Sequence, residues 1–281
     1  MLSKQERASL NDFFSTLLFQ EGGAYTLFGN KPMTFTTLLD EPHEDTEEFL
    51  AQSPHQILCN ELNFEENWNV WKKITEHIQT PRFILCKRAS PSFSTQKESI
   101  FLVNIAETAT TLKKHYALFR GAVTRDFDPL KMVFELENSD SSFWKKVLAR
   151  HDLVGILLGY GDQNAWLFAE ARKCEEVSSN ARSAKEKEFL LNLAKQTPSS
   201  NSISEFDLNF PLPSFVCFDK EQSLALIKEY ERDRKKIKEA YKGKDSVDVT
   251  LKKLTSSDLS PDPDLQYKER LRKSLRLDTL H

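Results

Sequence analysis

Hydrophobic side chains recur at helical spacing along much of this chain. The first such pattern begins with a capping box, in which Ser3 and Glu6 can satisfy each other's backbone donors, and it runs through Leu18. A second pattern, from Asn63 to about Gln79, carries two tryptophans on its apolar stripe. Further helices are predicted at 107–119, 142–150, 151–158, 162–173 and 182–195. The pattern therefore indicates a helix-rich protein.

Strands are predicted in fewer places. Two stretches rich in Phe, Ile, Leu and Val, 82–87 and 99–105, flank a polar loop, and an antiparallel pair is their simplest arrangement. Two shorter segments, 25–28 and 33–37, flank a Gly-Asn-Lys-Pro turn and predict a hairpin, and 215–218 predicts another short strand. With only 8 glycines, a many-turned barrel or sandwich is disfavoured. We expect an α+β fold, helix-rich with a small, mostly antiparallel sheet and a long charged C-terminal helix.

The long charged helix is predicted from Lys220 to Lys242, and Gly243 ends it. Its apolar positions form a narrow stripe that includes one charged side chain: Ile227, Tyr230, Arg234, Ile237 and Tyr241. A stripe of this kind can lie on the body of the protein or contact a partner helix. We treat these residues as a candidate partner-contact surface.

Composition changes after this helix. Residues 244–264 are rich in Ser, Asp, Pro and Lys, which is typical of disorder, and a short amphipathic helix is predicted near 267–275. The predicted organisation is a folded core at 1–218, a helix at 219–242 that is docked on the core or extends from it, and a flexible basic tail at 243–281. We expect the apolar stripes of the core to meet in a single hydrophobic interior that excludes the tail.

Charge is unevenly distributed along the 281 residues. Residues 228–281 contain 15 Lys and Arg against 11 Asp and Glu, a net charge of +4, so the preceding residues carry −7 of the total of −3. An acidic body argues against nucleic-acid binding, whereas a basic tail suits a protein partner. The tail could also contact an anionic membrane surface, but no second anchoring signal accompanies it.

The sequence predicts a cytoplasmic protein. Its four cysteines are widely spaced, as expected for reduced thiols, and the N-terminal residues lack the apolar segment of a secretory signal. The longest apolar run, near 153–158, is too short for a transmembrane segment. Export by a route that needs no signal peptide stays open.

The motifs predict neither a metal nor a cofactor. The Gly159–Asp162 turn precedes a helix, but its phosphate-binding glycine pattern is incomplete. His43 and Glu44 lack the second histidine of a zinc motif, and the acidic pair around Phe127 lacks the other ligands of a calcium loop. A catalytic Cys–His pair whose members meet only in space stays open.

Two segments carry recognisable motifs: Tyr25–Pro32, which reads YTLFGNKP, and Gly155–Gly161, which reads GILLGYG and is followed by Asn164. Together they resemble a family of uncharacterised proteins from obligate intracellular bacteria. The resemblance covers about residues 5–170 and implies a bacterial protein that acts within, or is exported into, a host cell. It implies no reaction and no catalytic residue.

The turns in these two segments form one candidate binding site. Each turn sets polar side chains beside apolar runs: Tyr25, Lys31, Tyr160 and Asn164. If turns 25–32 and 159–164 meet in the fold, these side chains line one concave surface. We favour a non-enzymatic interaction or effector-like protein that binds a protein partner. The alternative is an enzyme of unrecognised type, for which a deep polar cleft with a strongly perturbed titratable residue would argue.

Overall fold

The computed structural model describes residues 2–37, 61–89, 98–177, 210–213 and 219–256. The first part of the chain contains α1 (Lys4–Phe14), a π-helical segment (Ser15–Gln20), α2 (Gly23–Phe28), β1 (Met33–Thr37), α3 (Glu61–Thr75), β2 (Phe83–Ala89) and β3 (Glu98–Asn104). The second part contains α4 (Ile105–Lys114), α5 (Tyr116–Val123), α6 (Pro129–Phe134), a 3₁₀ turn (Glu135–Glu137), α7 (Ser142–Leu148), α8 (His151–Leu157), α9 (Asp162–Val177), α10 (Lys220–Tyr241) and α11 (Ser246–Thr255).

The described strands form one antiparallel sheet in the order β1–β3–β2. β2 and β3 pair along their full lengths, from Phe83 opposite Asn104 to Ala89 opposite Glu98. The predicted α+β fold class, the antiparallel pair and the long C-terminal helix are therefore confirmed.

The hairpin predicted from 25–28 and 33–37 is wrong. Residues 25–28 belong to α2, which starts directly after the π-helical segment because Gly22 adopts a left-handed conformation with φ of 74°. β1 pairs instead with β3, far along the chain. Thr26 of α2 hydrogen bonds to Thr34 of β1 at 3.0 Å, so the helix packs on the sheet. A segment of four residues fits either a helix or a strand, because it is too short for its periodicity to separate the two.

The sheet divides the apolar interior into two layers. Phe101 and Val103 of β3 face one layer, which is built mainly from α4 to α8. Ile100 and Leu102 face the other, which is built from α1, the π-helical segment, α2, α3, α10 and α11. The expected single interior is therefore corrected to two layers. The physical reason is that β3 is apolar on both sides, as in a strand covered on both faces.

The predicted flexible tail begins too early. α11 lies within it, yet its apolar face is buried, with Val247 and Leu254 each 1% exposed. Arg7 of α1 forms ion pairs with Asp245 and Asp248, at 2.8 and 2.9 Å. A few apolar residues at helical spacing suffice to dock this segment although its average composition is polar.

Other predictions fare differently. The helix predicted at 107–119 consists of two helices, α4 and α5, which meet at His115. The predicted elements at 182–195, 215–218 and 267–275 lie outside the described residues. Across the described ranges, the helices fall short of the length and apolarity that crossing a membrane requires.

Candidate functional site

The two turns of the candidate site are neighbours in the fold. Gly159 adopts φ of 75°, and a Cβ placed on it would lie 3.4 Å from Pro32 Cδ and 3.5 Å from Lys31 Cγ. The same position would lie only 2.7 Å from the hydroxyl of Tyr230. A side chain at this position would therefore disturb the contact between the turns and α10, which explains the need for glycine.

Two tyrosines, Tyr230 of α10 and Tyr25, connect α10 to these turns. Tyr230 donates a hydrogen bond of 2.7 Å to the carbonyl of Gly159. Its ring packs edge-on against Tyr25, with centroids 5.4 Å apart, and Tyr25 donates to the carbonyl of Pro211 at 3.1 Å. Burial raises the pKa of both phenols, so both remain neutral donors. The structure thus gives Tyr25 a packing role in the described fold.

Asn164 links the first turns of α9 and α10. Its amide donates to the carbonyl of Tyr160 and to the hydroxyl of Ser223, both at 3.1 Å. Its carbonyl oxygen accepts a 2.8 Å hydrogen bond from the backbone of Asp219. Asn164 is only 1% exposed, and these bonds occupy both of its amide hydrogens. It therefore holds two helices together and presents no free amide to a ligand.

Lys31 differs from these residues. It is 4% exposed, and within the described part of the chain its ammonium group has no hydrogen-bond or ion-pair partner. Burial lowers the pKa of Lys31 to about 8, although the charge of Glu21 raises this pKa and so offsets part of the shift. Glu21 reaches solvent, yet the protein packed around its carboxyl raises its pKa. Burial also raises the pKa of the nearby Tyr160 to about 12.

The candidate partner-contact stripe of α10 lies on the body of the protein. Tyr230, Ile237 and Tyr241 are at most 4% exposed and belong to the apolar layer around α1 and α2. Ile227 and Arg234 lie at its border and are partly exposed. The partner-contact interpretation of this stripe is therefore wrong for the docked helix, and its alternative, packing on the body, holds.

The opposite side of α10 is a charged surface that the apolar pattern did not single out. It consists of exposed residues at helical spacing, here named the basic face: Lys228, Arg232, Lys235, Glu239 and Lys242. Within the described residues, the side chains of its four basic members form neither ion pairs nor hydrogen bonds. The signal that could have found it is the alternation of spacings of four and three, read for charge instead of apolarity.

A separate cleft of about 370 Å³ lies beside the edge strand β2. Trp68, Trp71 and Cys86 contribute to its lining. Lys87, at its rim, already pairs with Glu65 and Glu98. Burial raises the pKa of the Cys86 thiol, which makes it a poor nucleophile. The cleft thus gives the enzyme interpretation no support from its described residues.

Arg88 of β2 is a buried cation that sequence reasoning missed. It is 4% exposed and donates to four backbone carbonyls, at distances of 2.8 to 3.4 Å: Leu136, Asn138, Ser139 and Ser141. These carbonyls lie in the 3₁₀ turn and the loop that follows it, so the guanidinium organises that segment. An isolated arginine in a strand has no periodic signature that predicts such a role.

Comparison with known proteins adds no relative to this picture. The chain matches no protein-family model, no curated protein and no solved structure. Within the described residues, no group of His, Cys, Asp and Glu side chains is arranged to hold a metal ion. The function must therefore be inferred from the chain's own surfaces.

Proposed function

We propose that this chain is a non-enzymatic interaction protein that binds an acidic protein partner through the basic face of α10. The observation that carries the proposal is a row of cations that have no ion-pair partner among the described residues: Lys228, Arg232, Lys235 and Lys242. Glu239 lies within this row, and the exposed Glu231 lies beside it, three residues after Lys228 and four before Lys235. Like charges placed in one row repel one another, and a row of carboxylates on a partner would relieve this repulsion.

The helix presents this row rigidly. One end of α10 is tied to α9 through Ser223 and Asn164, and the other end is tied to α11 by a 2.9 Å hydrogen bond between Tyr241 and Thr250. At 1.5 Å per residue, the basic face spans roughly 21 Å. Because the helix backbone is already fixed, binding restricts only the side chains of the row, which favours affinity over a row on a flexible segment.

A protein partner fits the charge balance better than a nucleic acid does. The chain has a net charge of −3, so a long polyanion that leaves the basic face would meet an acidic body. A compact acidic surface needs to contact only α10. The resemblance to proteins of intracellular bacteria adds the further proposal that this partner belongs to a host cell.

The enzyme alternative is weaker for a specific reason. The enzyme alternative rests on Tyr25, Lys31, Tyr160 and Asn164. The polar groups of Tyr25 and Asn164 form hydrogen bonds that stabilise the fold. Lys31 alone keeps an uncommitted functional group within the described residues. A single amine with no assembled catalytic set supports binding chemistry more than turnover.

The test is partner capture with charge-reversed variants. The first variant carries Arg232→Glu, Lys235→Glu and Lys242→Glu. The matched control reverses three exposed lysines on other helices: Lys4→Glu, Lys113→Glu and Lys131→Glu. Both variants change the net charge equally, so only the position of the charges differs.

We expect the full-length wild-type chain to capture an acidic protein from host lysate and to release it at high salt. The α10 variant should lose at least about 10-fold in affinity for that purified protein, because it replaces attraction by repulsion. The control variant should bind as wild type does. Equal loss in both variants, or no loss in the α10 variant, would contradict the proposal.

A further inference from the structure

The outer edge of β2 carries backbone groups that point away from the sheet. β2 and β3 pair in an antiparallel register, and the N–H of Ile105 donates to the carbonyl of Arg82 at 3.0 Å, in line with that register. Hydrogen-bonded positions alternate along an antiparallel pair, so the even-numbered residues of β2 bond to β3. The N–H and C=O groups of Leu85 and Lys87 therefore face the outer edge.

Phe83, at the start of β2, has the same orientation. Its N–H donates to the carbonyl of Thr80 at 3.3 Å, and its carbonyl accepts a 2.9 Å hydrogen bond from the Thr80 hydroxyl. Both groups thus bond to the preceding turn and not to β3. No described residue gives the outward backbone groups of Leu85 and Lys87 such a partner. An open strand edge of this kind is a template for another strand.

The cleft beside β2 lies along the same part of this edge. Its volume of about 370 Å³ falls within the roughly 300–1,000 Å³ of ligand sites, and Leu85 and Lys87 contribute to its lining. One wall is α3, which contributes Trp68 and Trp71. The other wall includes Glu137, at the end of the 3₁₀ turn that packs on the opposite face of the sheet. The open backbone groups and the cleft are separate observations that point to one site.

The two walls of the cleft carry opposite charges. Lys72 lies on the α3 wall and Glu137 on the other, and both are exposed. Neither has an ion-pair partner among the described residues, whereas Lys87 pairs with Glu65 and Glu98. Side chains alternate between the two faces of a strand. A strand laid along β2 would therefore present one side chain to the α3 wall and the next to Glu137.

We propose that the edge of β2 binds an extended segment of a partner protein, which adds a strand to the described sheet. In antiparallel orientation, two residues of the segment pair with Leu85 and Lys87 through their backbones. The side chain opposite Leu85 faces α3, where an acidic group is attracted to Lys72. The adjacent side chain faces Glu137, where a basic group is attracted. The basic face of α10 plays no part, so the inference does not rest on the proposed acidic partner.

The first measurement is site-resolved amide hydrogen exchange of the full-length chain in dilute solution, without a ligand. We expect the amides of Leu85 and Lys87 to exchange at least about 100-fold faster than those of Cys86 and Arg88, because only the latter two bond to β3. Equal protection of all four amides in dilute solution would show that another segment of this chain covers the edge. Protection that appears only at high protein concentration would show that a second copy covers it. Either result would overturn the proposal.

The second measurement is binding of a capped, fluorescein-labelled peptide, Thr-Val-Lys-Glu-Val-Thr, to the full-length chain by anisotropy. In the proposed register, its first valine and its glutamate pair with β2 through their backbones. N-methylation of these two residues should lower the affinity at least about 10-fold, because it removes both donors that face the protein. N-methylation of the lysine and the second valine, whose amides face away, should leave the affinity nearly unchanged. No binding, or equal loss with both methylation patterns, would contradict the proposal.

Variants of the protein test the same contacts. Lys87→Pro removes the outward N–H without removing a bond to β3, and proline is tolerated at such edge positions. We expect it to bind the peptide at least about 10-fold more weakly, whereas Lys87→Ala, which keeps the N–H, should lose less. Glu137→Lys should weaken binding, and a peptide with glutamate in place of its lysine should restore it. Unchanged binding in Lys87→Pro, or no restoration with the exchanged charge, would count against the site.

Discussion

Gly29 allows α10 to approach the turn between α2 and β1. Its φ of −115° is open to any residue, so substitution introduces no backbone strain. A Cβ on Gly29 would, however, lie 2.2 Å from the Oδ2 atom of Asp233 and 2.8 Å from its Cγ. It would also lie 2.8 Å from the carbonyl oxygen of Tyr25. Carbon and oxygen atoms cannot approach this closely, so Gly29→Ala must displace α10 or the turn.

The cost can be divided between the two obstacles. Overpacking of a filled interior typically costs 1–3 kcal/mol, and we expect Gly29→Ala to lower the free energy of unfolding by about 3 kcal/mol. Asp233→Ala alone should cost less than about 1 kcal/mol. The reason is that Oδ2 of Asp233 has no hydrogen-bond partner in the described fold, and its Oδ1 bonds only to the largely exposed Lys236.

The double variant should recover part of the loss. Removing the carboxylate relieves the closest contact but leaves the Tyr25 carbonyl, so we expect Gly29→Ala with Asp233→Ala to be about 1–2 kcal/mol more stable than additivity predicts. Urea unfolding followed by tryptophan fluorescence measures the free energy of unfolding of the wild type, the two single variants and the double variant. Gly121→Ala is the control, because no described atom outside its own helix turn lies within 4 Å of the added Cβ, and helix propensity should make the change neutral or stabilising. Strict additivity would refute the steric explanation.

Further predictions concern other parts of the fold. Arg88→Met should lower the free energy of unfolding by about 3 kcal/mol in urea titrations, since it removes a buried donor shared by four carbonyls, of which those of Asn138 and Ser141 keep a backbone donor; a loss below about 1 kcal/mol would contradict this role. Lys31 has a lower pKa when folded than when unfolded, so its contribution to stability should rise by about 3 kcal/mol as the pH rises from about 8 to 10.5. The free energy of unfolding of the wild type minus that of Lys31→Met should therefore rise over that range, and a constant difference would contradict the prediction. Truncation after Gly243 should lower the free energy of unfolding in the same titrations by at least about 3 kcal/mol, because it removes the buried apolar face of α11; a loss below about 1 kcal/mol would contradict the docking of this helix.

The sequence predicted the features that depend on nearby residues. The capping box at Ser3 and Glu6 forms as expected. The strands around Leu85 and Leu102 pair as predicted, because both contain apolar segments with β-branched and aromatic residues, which favour strands. The position of α10 was also predicted, within one residue at its C-terminal end. In each case, the interactions that determine the structure join residues that are close in the sequence.

The wrong predictions concern segments whose structure is determined by contacts between residues far apart in the sequence. α2 is too short for its periodicity to identify it, and its packing on β1 through Thr26 selects the helix. α11 forms in a polar stretch because α1 offers Arg7 and an apolar surface. The burial of Lys31 depends on the contact between turns 25–32 and 159–164, which are more than a hundred residues apart, and the sequence does not show which side chains that contact brings together.

The two sides of α10 explain why an apolar stripe was a misleading indicator of a partner surface. An amphipathic helix in a folded protein usually packs its apolar stripe against the core of the same protein. Tyr230, Ile237 and Tyr241 follow that rule. Burial of this stripe fixes the rotation of the helix about its axis, and this rotation decides which charges point outward. The basic face is thus a consequence of the core: because Tyr230 and Ile237 face inward, Arg232 and Lys235 must face outward. A variant that undocks α10 would weaken partner binding without touching a cation, so binding losses count as evidence for the basic face only where the free energy of unfolding is unchanged.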